Sequence, residues 1–202
     1  MLLKTIGQIQ RKELILFFVS PIGYLFLAAF LAVTLFVVFW GESFFARNIA
    51  DVRPMFEWMP ILLIFLSAAL TMRMWSEERR SGTLEFVATM PASTWAFVLG
   101  KFFACWTLLA IALLLTLPLP ITISVIGDLD WGPVFAGYLA AMLLGGAYIS
   151  IGLYISSRTD SQIVALMLAS LVSGLFYLVG SSVVTELFGS SVQSWLAAIG
   201  SG

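Results

Sequence analysis

Five long stretches without a charged side chain restrict the folding of this sequence more than any motif in it. A helix rises about 1.5 Å per residue, so roughly 20 apolar residues cross the ~30 Å hydrocarbon core of a bilayer. Residues 22–40, 102–126, 134–156 and 163–184 meet that length; residues 58–72, with 15 uncharged positions between Glu57 and Arg73, form a shorter fifth candidate. Of the 202 residues, 61% are hydrophobic and 10% charged, and the mean hydropathy is +1.04. Soluble domains carry about 25% charged residues, too many for this chain to match, so it folds in lipid. The expected class is an all-α integral membrane protein. The run at 22–40 exceeds the ~7–15 residues of a cleavable signal core and is expected to stay as an anchor.

Charge placement tests the short candidate. If all five segments cross and the N-terminus is cytoplasmic, the inner segments hold Lys4, Arg11, Lys12, Arg73, Arg79, Arg80, Lys101 and Arg158, and the outer ones only Arg47 and Arg53. That bias is the one expected of short cytoplasmic loops. Were 58–72 not to cross, the five basic residues that follow it, Arg73, Arg79, Arg80, Lys101 and Arg158, would change sides and the bias would vanish. With all five crossing, Glu42, Asp51, Glu57, Asp128, Asp130 and Glu186 fall outside. Trp58 and Trp75 are expected in the interfacial belts, with Arg73 snorkelling.

Ahead of the first span, Ile6, Ile9, Leu14 and Phe17 share one helical face while Lys4, Gln8, Arg11 and Lys12 are polar. This pattern suits a helix over residues 1–20 lying in the cytoplasmic interface, with Ser20-Pro21 marking the bend; a plain basic anchor is the alternative. In the third span Pro118 and Pro120 remove backbone donors and predict a bend, with Thr116, Thr122 and Ser124 able to serve the freed carbonyls. Gly137, Ala141 and Gly145 form one stripe of small residues, and Ala165, Ala169 and Ser173 another. Such stripes let helices approach closely in lipid and say nothing about chemistry.

Several functions are disfavoured. The net charge of −1 suggests no nucleic-acid partner. With no histidine and one cysteine, Cys105, the chain has no internal disulfide and no plausible structural zinc site, and Cys105 reads as a small hydrophobe. No acid or base occupies the middle of any span, whereas ion-coupled carriers place such groups at depth. No nucleophile–base pair is visible, so no catalytic residue, metal or cofactor is expected.

Residues 73–101 carry seven of the 21 acidic and basic side chains. Ser81 or Thr83 suits the start of a short helix with Leu84, Val87 and Ala88 on one face and Pro91 at its end. Such a helix suits docking of a cytoplasmic partner; a solvated loop with ordinary inner charges suits the same residues.

The run Glu77-Glu78-Arg79-Arg80-Ser81-Gly82-Thr83-Leu84-Glu85-Phe86, then Pro91-Ala92-Ser93 and Leu99-Gly100-Lys101, resembles the first cytoplasmic loop of type-2 ABC export permeases. The nearest branch is the gliding-motility-associated permeases, with the nitrous-oxide-reductase maturation permeases as cousins. The resemblance covers most of the chain, beginning with Arg11-Lys12-Glu13-Leu14. It implies a single permease domain over residues 1–202 in the bacterial cytoplasmic membrane, two permease copies or a related pair, and separate ATPase subunits. A lipid-embedded path and an outer-face accessory protein fit the same picture. It further implies Glu77, Glu78, Arg79, Gly82, Thr83, Leu84, Glu85 and Phe86 as the contacts that relay ATPase motion, Gly82 allowing a tight turn.

Two features depart from the family pattern. The family has six spans and this sequence supplies five, with residues 185–202 as an outer segment; a sixth span beyond residue 202 is the expectation. The second concerns Trp95-Ala-Phe-Val-Leu-Gly100-Lys101-Phe102, which has the Gly-Lys of a P-loop but Trp for its first glycine and Phe for the magnesium hydroxyl. The ATP site is therefore expected in a partner chain. A non-transporting mechanotransmission or scaffold subunit is the alternative to an exporter permease, and an intramembrane enzyme is a third reading.

Overall fold

The computed structural model describes residues 2–41, 52–83 and 93–180. Eight α-helices make up its framework: α1 (Leu2–Val19), α2 (Pro21–Phe36), α3 (Arg53–Thr71), α4 (Ser76–Arg80), α5 (Thr94–Thr116), α6 (Pro118–Ile126), α7 (Trp131–Arg158) and α8 (Gln162–Gly180). No strand occurs among the described residues. Among the described residues, five stretches are long and apolar enough to cross a membrane: Gly23–Trp40, Arg53–Arg80, Thr94–Ile126, Trp131–Arg158 and Gln162–Gly180. The protein is an all-α integral membrane protein.

Local chemistry sets the helix ends. Proline favours the first helical position, where its missing amide costs nothing, and α2 begins at Pro21, immediately after the bend at Ser20. A π-helical turn, Val37–Gly41, continues α2. The short candidate of the sequence becomes the 19-residue α3, which starts five residues earlier, at Arg53. Asp130 starts α7 by accepting the Gly132 amide at 3.0 Å. The third span starts earlier than expected: α5 begins at Thr94, so Lys101 lies inside it rather than at the end of a loop.

The prolines divide the third span. At Leu117 the helix breaks between α5 and α6, and the Leu117 amide turns to Leu114 O at 3.1 Å. The Thr116 hydroxyl donates to Leu113 O, the acceptor Leu117 would serve in an unbroken helix, at 2.7 Å. That uses the only Thr116 proton, so Tyr138 on α7 donates to Thr116 across 2.8 Å. Thr122 and Ser124 donate to Leu119 O and Ile121 O.

The core lies along α3, α5 and α7, where Leu63, Leu70, Leu108, Leu109 and Ile149 are fully buried. α2 contributes Leu27 and Phe30, and the π-helical turn Val38, to the face that packs on α3. Outward-facing Leu25, Phe36, Leu139, Leu143, Met167 and Leu171 are exposed in the chain, as lipid-facing side chains should be. Glycines set the closest approaches. A Cβ at Gly137 would stand 2.7 Å from the Phe56 ring, and one at Gly145 2.6 Å from Leu109 Cδ2. At Gly152 it would stand 2.1 Å from Thr71 Oγ1. Ala141 is buried on the same helix; on α8 Ala165, Ala169 and Ser173 are buried, and that helix packs on α3 and α7. Cys105 is buried, its thiol 3.9 Å from Leu70 O.

Candidate functional site

The N-terminal helix, the α3–α4 elbow and the starts of α5 and α8 meet at one end of the bundle, together with the end of α7. The same end carries Lys12, Arg73, Arg79, Lys101 and Arg158. α1 lies against α5, burying Ile6, Glu13 and Phe17. A Cβ on Gly100 would stand 2.7 Å from Ile9 Cγ2, so only glycine admits this crossing. The Gln10 amide donates to Thr107 Oγ1 at 2.9 Å. The inward face of α1 thus carries Gln10 and Glu13 beside the expected apolar residues.

Glu13 faces inward because a cation waits for it. Lys101 is 1% exposed. Its Nζ donates to Met74 O at 2.6 Å, Glu78 Oε1 at 2.8 Å and Glu13 Oε1 at 3.2 Å. An ammonium has three protons, so its capacity is used in full. The Trp75 ring lies 4.8 Å from the same nitrogen, adding a cation–π contact. Trp75 thereby faces the buried charge; it does not simply mark an interfacial belt. One side chain of α5 joins α1, the elbow and α4.

Neighbouring charges extend the cluster. Lys12 lies 3.7 Å from Glu13 and 3.9 Å from Glu78, and Arg73 pairs with Glu77 at 3.5 Å and with Ser20 Oγ at 3.4 Å. Lys12, Arg73 and Lys101 face Glu13, Glu77 and Glu78 around a cavity of about 170 Å³. The three basic and three acidic side chains balance, so the lining carries no formal net charge.

The elbow is also held from α7. Ser156 is fully buried; its hydroxyl donates to Met72 O and accepts the Trp75 and Ser76 amides, each at 3.2 Å. The Ser76 hydroxyl also donates to Met72 O. Arg79 donates to Ser157 O at 2.9 Å and pairs with Asp160.

α4 ends in a tight left-handed cap. Gly82 has φ of +71°, its amide donates to Arg79 O at 3.2 Å, and the Thr83 amide donates to Glu78 O at 3.0 Å. These two bonds define a Schellman motif with Gly82 at its left-handed position. The Ser81 and Thr83 hydroxyls donate back to Glu77 O and Glu78 O. In the described residues they therefore close the helix that precedes them, whereas the sequence suggested that one of them opens the next. Leu84, Glu85 and Phe86 lie outside the described residues, as do Val87, Ala88, Pro91 and the outer segment at 185–202.

The eight residues from Trp95 to Phe102 lie within α5 and so do not form the loop of a phosphate cradle, and Lys101 is occupied by carboxylates. Among the described residues no group of three or more His, Cys, Asp or Glu side chains is placed to hold a metal ion.

Residues 48–201 match the family model described as "ABC-2 family transporter protein". The chain belongs to the ABC-2 transporter family. It is accordingly a multi-pass permease subunit of an ABC transporter, a family membership that implies association with an ABC ATPase. The family match spans α3 through α8 and contains the elbow, Gly82 and Lys101; α1, which supplies Glu13, precedes it. No curated protein and no solved structure matches the chain.

Proposed function

We propose that this ABC-2 permease works as half of an ATP-driven exporter, and that the segment from Arg73 to Phe86 receives the motion of a separate ATPase subunit. The observation that carries this reading is the position of α4. Its inner side is joined through Lys101 to α1 and α5 and through Ser156 to α7, while Glu77, Arg80, Ser81, Gly82 and Thr83 are exposed. A short helix with one exposed edge and one edge tied to several spans suits the transfer of force. Within the relay set inferred from the sequence, Glu77, Gly82 and Thr83 would meet the ATPase, continued by Leu84, Glu85 and Phe86. Glu78 and Arg79 would pass the load inward.

In this reading the basic end is cytoplasmic, in line with the inner bias of Lys and Arg, and the membrane is the bacterial inner membrane. Leu63, Leu70, Leu108, Leu109 and Ile149 fill the interior of one copy. A translocation path would therefore form between two permease copies or between this chain and a relative, with an outer-face accessory protein as a further partner. The resemblance of the loop favours the gliding-motility-associated branch, with the nitrous-oxide-maturation permeases as cousins. The direct test is co-purification with the cognate ATPase after alanine substitution of Glu78, Leu84 and Phe86 together. Loss of the ATPase is expected. Full recovery of the complex would remove the coupling assignment.

A further inference from the structure

The two tethers of α4 differ in kind. On one side Glu78, whose side chain is 18% exposed, pairs with the buried Lys101, which also holds Glu13. On the other, Arg79 pairs with Asp160 where their side chains are 44% and 72% exposed. The start of α4 is fixed to α7 by the buried Ser156 hydroxyl. Exposed ion pairs are screened and readily exchanged for water, whereas opening a buried one leaves an uncompensated charge. A load on the far end of α4 therefore opens the Asp160 side first and keeps the Lys101 side closed.

We infer that Lys101 is a positioning residue through which a displacement of α4 carries α1 and the start of α5 together, with Arg79–Asp160 as the releasable contact. This rests on the reading of α4 as the ATPase-driven segment. Glu13 is the α1 end of the linkage. Gly100 beside Ile9 and Gln10 bonded to Thr107 keep α1 seated on α5, so the two helices move as one body.

The test uses the permease–ATPase complex in lipid nanodiscs, with spin labels at Gln8→Cys on α1 and Ser161→Cys beside α8, in a Cys105→Ala background. Both label sites are exposed and outside the proposed ATPase surface. The 8–161 distance is read before and after ATP with vanadate. In the otherwise unsubstituted complex the distance shifts with nucleotide. In Lys101→Met the ATPase still co-purifies and the shift disappears; in Asp160→Asn the shift is retained. If Lys101→Met does not fold, Glu13→Gln/Lys101→Met removes both buried charges and is read in the same way, with the shift again lost.

A merely structural Lys101 would lower the yield and stability of the complex but leave the shift intact in what assembles. An undiminished shift in either Lys101 variant overturns the inference while the coupling reading stands. Failure of the unsubstituted chain to bind its ATPase overturns the coupling reading, and this inference with it.

Discussion

Removing the Lys101 ammonium should be among the most destabilising single changes in the protein, and restoring charge balance should undo most of the damage. At separations of 2.8 and 3.2 Å from Glu78 and Glu13, each attraction is about 5–6 kcal/mol gross at an effective dielectric near 20. Desolvating a lysine that is 1% exposed and a glutamate that is 8% exposed offsets much of that. The net value of the trio is therefore small, while the cost of breaking it is large. Lys101→Met leaves Glu13 buried with only Lys12, 3.7 Å away and mostly in solvent. A loss of about 3–5 kcal/mol follows. The triple variant Glu13→Gln/Glu78→Gln/Lys101→Met buries no charge and should return to within about 1–2 kcal/mol of the original. Reversible unfolding in mixed micelles by added SDS, followed by tryptophan fluorescence, measures both values. A Lys101→Met variant within about 1 kcal/mol of the parent, or a triple variant no better than the single, would refute the reasoning.

Other predictions follow from packing and caps, and the same titration reads them. Gly152→Ala should cost about 1–3 kcal/mol, because its methyl would stand 2.1 Å from Thr71 Oγ1, itself bonded to Ser67 O. Gly7→Ala on α1 meets nothing within 4 Å and should be neutral or stabilising by up to about 1 kcal/mol; equal losses at the two sites would contradict the packing argument. Gly82→Ala meets no atom within 4 Å either, so its cost of about 1–2 kcal/mol comes from the left-handed backbone alone; Gly82→Asn should cost less. Ser156→Ala strips the Trp75 and Ser76 amides of their α7 acceptor and should cost about 1–3 kcal/mol. An unchanged midpoint there would mean that the elbow does not depend on α7.

Much of the fold was legible because lipid imposes simple rules. The uncharged runs became spans, the charge bias admitted the short one, and the Leu-Pro-Leu-Pro sequence placed the break at Leu117. The turn at Gly82 was legible too, since the left-handed region is mainly glycine's. The centre of the site was hidden. Lys101 counted as one more inner basic residue, and Glu13 lay among polar neighbours of an interfacial helix. Their meeting depends on α1 crossing α5, a contact between positions 88 apart that no local period encodes. Ser156 and Gly152 were hidden for the same reason: a serine or glycine acquires its role only when a particular backbone or side chain comes beside it. One local signal exists, the glycine at 100 directly before a lysine in a helical run, and the same pair also matches part of a phosphate loop.

In the proposed coupling, α4 and the residues after it face an ATPase subunit. Photo-cross-linking in native membranes tests this most directly, with a benzophenone side chain placed at Thr83 and, as a control, at Val125, an exposed position on α6 at the opposite end of the bundle. A nucleotide-sensitive cross-link to the ATPase is expected from position 83 and none from position 125. A cross-link from position 125, or none from 83 in a complex that co-purifies intact, would contradict the proposed coupling.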